Sequence, residues 1–161
     1  MLQKNNGDGT FSEIGQLAKI SNTDWSWSAL FGDYNNDGFK DLFVTNGYVK
    51  DYTDMDFIKY SIDRLARSRN GENVDPTTEY IKKMPTLGIS NCIFQNNGDE
   101  TFTKKTVDWG LDQPGVSAGA AYADLDNDGD LDLLVNNCNA YADIYKNNSE
   151  SITKNNFFVF G

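Results

Sequence analysis

The chain has 161 residues, 39% of them hydrophobic and 13% aromatic, and carries a net charge of −10 at pH 7. That composition suffices to bury a core as one folded domain and excludes a disordered chain, while the acidity makes nucleic acid and anionic membrane surfaces poor partners. There is no histidine, so the commonest general base and the commonest zinc ligand are both missing, and no apolar run is long enough to insert into a bilayer.

Residues 2–14 read as a hairpin, because Asn5-Asn6-Gly7-Asp8-Gly9 supplies the positive φ angles that tight turns need between two short strands. A chain that opens directly on such a hairpin is expected to begin inside a larger protein. After a polar connection, Trp25-Ser26-Trp27-Ser28-Ala29-Leu30-Phe31 alternates aromatic and small residues at the strand period of two. Asp33-Tyr34-Asn35-Asn36-Asp37-Gly38-Phe39-Lys40-Asp41 follows, with acids or an amide at positions 1, 3, 5 and 9 and glycine at 6. Leu42-Phe43-Val44 is then apolar on both sides, as in a strand covered on both faces.

Residues 47–88 have no counterpart later in the chain and read as a helical insertion. Thr53-Asp54-Met55-Asp56 looks like a capped helix start, and Met55, Ile58, Ile62 and Leu65 recur at helical spacing. Arg64, Arg67 and Arg69 suit the negative end of the helix dipole, and Asn70-Gly71 suits its stop. Asp75-Pro76 can open a second, short helix that ends by Pro85.

The sheet pattern resumes at Ile93-Phe94-Gln95 and at residues 101–103. Gly119-Ala120-Ala121-Tyr122-Ala123 is a strand of small residues, suited to close approach by neighbouring strands. It leads into Asp124-Leu125-Asp126-Asn127-Asp128-Gly129-Asp130-Leu131-Asp132. That stretch has the layout of a calcium cage: the ion wants six to eight oxygens at about 2.3–2.6 Å, and a tight loop turns alternate residues toward one point. Asp124, Asp126, Asp128 and Asp132 would supply carboxylates and Asp130 its backbone carbonyl. Without a cation the loop is a liability, since two carboxylates roughly 4–5 Å apart repel by about 3–4 kcal/mol at an effective dielectric near 20. Four share this turn.

The two acidic loops lie 91 residues apart, as do the Asn-Asn-Gly turns at Asn5 and Asn96. Ile144-Tyr145-Lys146-Asn147-Asn148 repeats Ile93-Phe94-Gln95-Asn96-Asn97 at an offset of 51, so 51 is the repeat length and 91 includes the insertion. Phe157-Phe158-Val159-Phe160 would begin a further strand. The organisation expected is a first repeat over 1–48, a helical insertion over 49–88, a second repeat over 89–140 and the start of a third repeat or following domain over 141–161. Repeats of four short strands are blades of a β-propeller, so the fold class expected is all-β with a helical insertion, about two blades of a larger ring.

Phe31-Gly32 before Asp33, Gly119-Ala120-Ala121 before Asp124 and the Asn-Asn-Gly-Asp hairpins resemble FG-GAP/VCBS-type repeats. Such repeats form calcium-binding propeller blades in integrin α-subunits, in cartilage acidic protein and in many exported bacterial proteins. The resemblance implies a seven-bladed propeller and two Ca²⁺ sites. Carried over residue by residue, the first would be held by Asp33, Asn35, Asp37, Phe39 through its carbonyl, and Asp41; the second by Asp124, Asp126, Asp128, Asp130 through its carbonyl, and Asp132. It also implies a non-catalytic ligand-binding or adhesion scaffold, extracellular, periplasmic or on the cell surface, partnered by a protein or glycan ligand and by the rest of its own ring.

An EF-hand is excluded because position 12 of each loop is valine, Val44 and Val135, where an EF-hand needs a bidentate glutamate. The alternative kept open is a carbohydrate-processing or other hydrolytic module using paired aspartates, or an accessory propeller of an enzyme. Cys92 and Cys138 lack both the spacing of a zinc site and the number for a disulfide scaffold, and read as two free or buried thiols. With one more carboxylate than the first loop, the second is expected to bind its ion more tightly.

Overall fold

Short apolar runs broken by Asn, Asp and Gly every few residues favour an antiparallel meander, whose turns those residues make without steric cost. A computed structural model describes residues 1–152. In chain order its elements are β1 (Gln3–Asn5), β2 (Phe11–Glu13), β3 (Ser26–Gly32), β4 (Asp41–Asn46), α1 (Met55–Arg69), α2 (Thr77–Lys82), β5 (Ile89–Ser90), β6 (Cys92–Asn96), β7 (Phe102–Lys104), β8 (Pro114–Gly115), β9 (Ser117–Ala123), β10 (Asp132–Asn137), β11 (Asp143–Tyr145) and α3 (Ser149–Ile152). The expected strand at 157–160 lies outside the described residues.

The strands form one sheet ordered β3-β4-β6-β7, a second ordered β11-β10-β9 and two two-stranded pairs, β1-β2 and β5-β8, every neighbour antiparallel. The protein is thus mostly sheet with few helices. β3 and β9, the first strands of the two larger sheets, approach each other while belonging to separate sheets. Residues 93–97 repeat residues 144–148, and β6 stands beside β4 in its sheet as β11 stands beside β10 in the next.

Every residue of β4 is buried, as its apolar run predicts. Alternation divides its side chains between two cores. Leu42 and Val44 join Cys92, Phe94, Phe102, Ala18 and Ile20 on one face, while Phe43 joins Ile93, Leu133, Val135, Tyr34 and Leu111 on the other. The second cluster packs the first large sheet against the second. The register Leu42↔Phe94, Phe43↔Ile93 and Val44↔Cys92 keeps matched faces aligned across β4 and β6.

β3 is less covered. Its pairing with β4 shifts between Ser26 and Ala29, and Trp27 stays 58% exposed while its indole N–H donates to the Gly47 carbonyl at 2.7 Å. β9 does lie beside β3 of the other sheet, as its small residues suit, but at Gly119 itself a Cβ would meet no atom within 4 Å. Both cysteines are free thiols, Cys92 buried and Cys138 partly so.

Residues Tyr48–Gly88 make a separate compact unit. An antiparallel bridge between Tyr48 and Leu87 closes its base, and the Asp54 side chain caps α1 by accepting from Phe57 N at 2.8 Å. The helix is where its spacing predicts, but the inward face is different. Met55, Ile62 and Leu65 are 65%, 64% and 53% exposed, whereas Phe57 is 6% exposed. Aromatic packing decides the rotation: the Phe57 and Tyr80 rings lie 5.1 Å apart, Tyr60 stacks on Tyr80 at 6.1 Å, and the Arg64 guanidinium sits 4.7 Å over Tyr80. Asp75 fastens the pair, accepting from Tyr60 Oη and Lys83 Nζ.

The Lys83 ammonium, with the Tyr60 hydroxyl, holds the Asp75 carboxyl below its usual range. A lowered folded pKa contributes stability above the unfolded carboxylate value, about 3.9, that is lost as pH falls through the folded value. Amide exchange in α2 should therefore quicken as the pH drops from about 5 to 3, once corrected for intrinsic exchange. Asp75→Asn should raise it at pH 6 and flatten that dependence. Equal protection in both proteins at every pH would show that Asp75 fastens nothing.

Candidate metal centre

Each acidic loop joins two paired strands. Residues 33–40 connect β3 to β4, and residues 124–131 connect β9 to β10. The last carboxylate of each, Asp41 and Asp132, is the first residue of a strand, opposite Gly32 and Ala123 respectively. Folding both loops back on themselves requires left-handed backbone at two positions: Asn36 and Asn127 have φ of 55° and 59°, and Gly38 and Gly129 have φ of 89° and 93°. Asparagine tolerates this region better than other side chains and glycine adopts it freely.

Side chains of the acids hold the turn by accepting backbone amides. Asp33 accepts from Gly38 N at 2.8 Å and Asp124 from Gly129 N at 3.1 Å. Asp37 accepts from Phe39 N at 2.8 Å and Asp128 from Asp130 N at 3.1 Å. Asp41 accepts from Tyr34 N at 3.2 Å and from Asn96 N at 2.8 Å. Asp132 does the same with Leu125 N at 3.0 Å and Asn147 N at 2.8 Å. These last two are almost fully buried, at 0% and 2% exposure, and each binds its loop to the following strand of the sheet. Burial pushes the Asp41 carboxyl up to about 6, with the charges of Asp37 and Asp33 adding to the rise and the two amides opposing it.

The two loops differ in what they gather. In the second, Asp124, Asp126 and Asp128 each present one oxygen, and the three oxygens lie within 4.8 Å of one another. Separations below that bound are in the range of oxygens that share one Ca²⁺ at about 2.3–2.6 Å. Oδ2 of Asp128 is buried and accepts no hydrogen bond, and the Lys146 ammonium lies 3.3 Å from it. Lys146 also pairs with Asp126 Oδ2 and holds that carboxyl below its ordinary range. An all-carboxylate set with a buried oxygen that accepts no hydrogen bond suits a hard cation.

In the first loop Asn35 stands where Asp126 stands in the second, and its amide donates to Asp37 Oδ2 at 2.9 Å. Asp33, Asp37 and Asp41 form no such three-acid cluster among the described residues. Phe39, the residue of the carbonyl position, is 49% exposed. Its counterpart Asp130 is fully buried, and its carboxylate accepts from Ser149 Oγ and Glu150 N, both at 2.8 Å, and from Asn36 Nδ2 of the first loop. Asn147 Nδ2 donates to the Tyr34 carbonyl of the first loop at 2.7 Å and lies 3.3 Å from that of Leu131 in the second. The two loops are therefore neighbours tied together by side chains.

Sequence reading did not single out Lys146, Asn147 or the side chain of Asp130. The 51-residue offset was the available signal for Asn147, because Asn96 at that offset makes the same amide bond to Asp41. No periodicity announces that Asp130 is buried.

No curated protein and no solved structure matches the chain. The FG-GAP-like repeat family matches it in two segments, residues 1–44 and 89–135, more than half of the chain, with the break falling on the helical insertion. Each segment runs from an Asn-Asn-Gly hairpin through one acidic loop into the apolar strand behind it, and the chain belongs to the FG-GAP-like repeat family.

Proposed function

We propose that the chain is a calcium-binding segment of a β-propeller, seven-bladed when complete, that serves as a non-catalytic scaffold for a protein or glycan ligand outside the cytoplasm. The observation that carries the metal reading is the cluster of Asp124, Asp126 and Asp128, whose oxygens are spaced for one cation. Asp132 and the Asp130 carbonyl complete the second cage; Asp33, Asn35, Asp37, Asp41 and the Phe39 carbonyl make the first. Bound Ca²⁺ supplies positive charge at the two turns where carboxylates crowd. It leaves the fixed loops, and the surfaces they position, free to recognise a ligand without chemistry. Adhesion is the role that such a scaffold fits.

The test is thermal. A ligand bound by the native state alone adds RT ln(1 + [L]/Kd), about 2.7 kcal/mol at a hundredfold excess over Kd. For a chain of this size that is a rise in Tm of roughly 5–10 °C in millimolar Ca²⁺ over chelator, with little response to Mg²⁺. A midpoint that ignores Ca²⁺ and chelator alike removes the metal from the proposal.

A further inference from the structure

The Lys146 ammonium lies against the carboxylates of the second cage, pairing with Asp126 Oδ2 and standing 3.3 Å from Asp128 Oδ2. It faces the only described three-acid cluster. Its place is dictated by register: Tyr145 pairs with Leu133 of β10, and the next-but-one residue, Asn147, donates its amide to Asp132. The first loop has the same construction, with Phe94 paired to Leu42 and Asn96 N on Asp41, and there the intervening residue is the neutral Gln95. The two loops thus differ in a tethered cation as well as in one carboxylate.

We propose that Lys146 is a built-in counter-cation of the second cage, so that a divalent ion entering there exchanges with the ammonium rather than adding to a bare cluster. This rests on the calcium reading of the cages and adds the regulation of one of them. Before the ion arrives, Lys146 relieves the repulsion among Asp124, Asp126 and Asp128. When it arrives, the same oxygens are wanted by both cations, and the lysine, whose side chain is 54% exposed, swings out to solvent on its flexible stem. The advantage that the second loop's extra carboxylate should give is thereby reduced. Raising the ionic strength weakens the exposed ion pair and shifts the exchange toward the metal relative to a simple charge-attraction site.

Calorimetric titration with CaCl₂ of the full chain and of Lys146→Gln, which installs the residue type of the first loop, tests this. Both are titrated in an Asp37→Asn background that weakens the first cage. Lys146→Gln should bind on the order of fivefold tighter, the factor expected from releasing an exposed ion pair. Its Tm in chelator should fall below that of the parent, because the repulsion is no longer relieved. Gln95→Lys should weaken the first binding step in the otherwise native chain. Unchanged affinity with Ca²⁺ binding intact overturns the exchange and leaves the calcium reading standing. Absence of binding heat in parent and variants, with the chelator midpoint also unmoved, overturns both. Lys146→Arg keeps the charge and should behave as the parent; a gain in affinity there would make the effect one of packing and sink the proposal.

Discussion

Phe43→Ala should be the most damaging apolar truncation in the chain, lowering stability by about 3–5 kcal/mol, the range for a buried phenylalanine that leaves a cavity behind. Phe43 is fully buried at the centre of the cluster that joins β4 and β6 of one sheet to Leu133 and Val135 of the next. Removing its ring empties the middle of the cluster between two sheets that share no ladder hydrogen bond, so the loss falls on the packing that joins them. Phe11→Ala, at a site 62% exposed, is the matched control and should stay within roughly 0.5 kcal/mol. Urea unfolding of the three proteins decides it. If Phe43→Ala matches Phe11→Ala, the two sheets are not held by this core.

Asp41→Ala and Asp132→Ala should each cost about 2–4 kcal/mol even in chelator, because each leaves two backbone amides without an acceptor, at about 1–3 kcal/mol per orphaned group. The amides are Tyr34 N and Asn96 N in one case, Leu125 N and Asn147 N in the other. For Asp41 the loss should lie at the lower end, since its charge is already held at a cost that raises its pKa to about 6. Asp126→Ala in chelator is the contrast. Its carboxylate pairs with Lys146 and is 39% exposed, so its removal should be small without metal and large with it. A difference between Asp41→Ala and wild type seen in Ca²⁺ alone would make Asp41 purely a ligand and its amide bonds incidental.

The sequence alone carried the repeat, the two acidic loops and the strands beside them, because each rests on local chemistry. Gly38 and Gly129 sit where a turn needs φ near 90°, and Leu42-Phe43-Val44 is apolar on both faces whatever surrounds it. The start and length of α1 were legible for the same reason, from the Asp54 cap to the Asn70-Gly71 stop. Which face of α1 turns inward was not, since Met55, Ile62 and Leu65 form as good a stripe as Phe57, Tyr60 and Arg64. The choice belongs to Tyr80 and Asp75, which come from another part of the chain.

The same division runs through the acidic loops. Composition and spacing set the oxygens and the turn, and give Asp130 a carbonyl role and Asp132 a carboxylate role, but they do not say what either side chain packs against. Only the packed structure supplies those partners. Asp130 is drawn into contacts with Asn36, 94 residues away, and with Ser149, while Asp132 is committed to Asn147 N. Lys146 reaches Asp126 and Asp128 of the second loop through the pairing of β11 with β10. Local sequence dictates turns and strand faces because their energies depend on adjacent residues. The partners of a buried carboxylate depend on which distant strands the hydrophobic clusters bring together, and that is settled when the sheets pack.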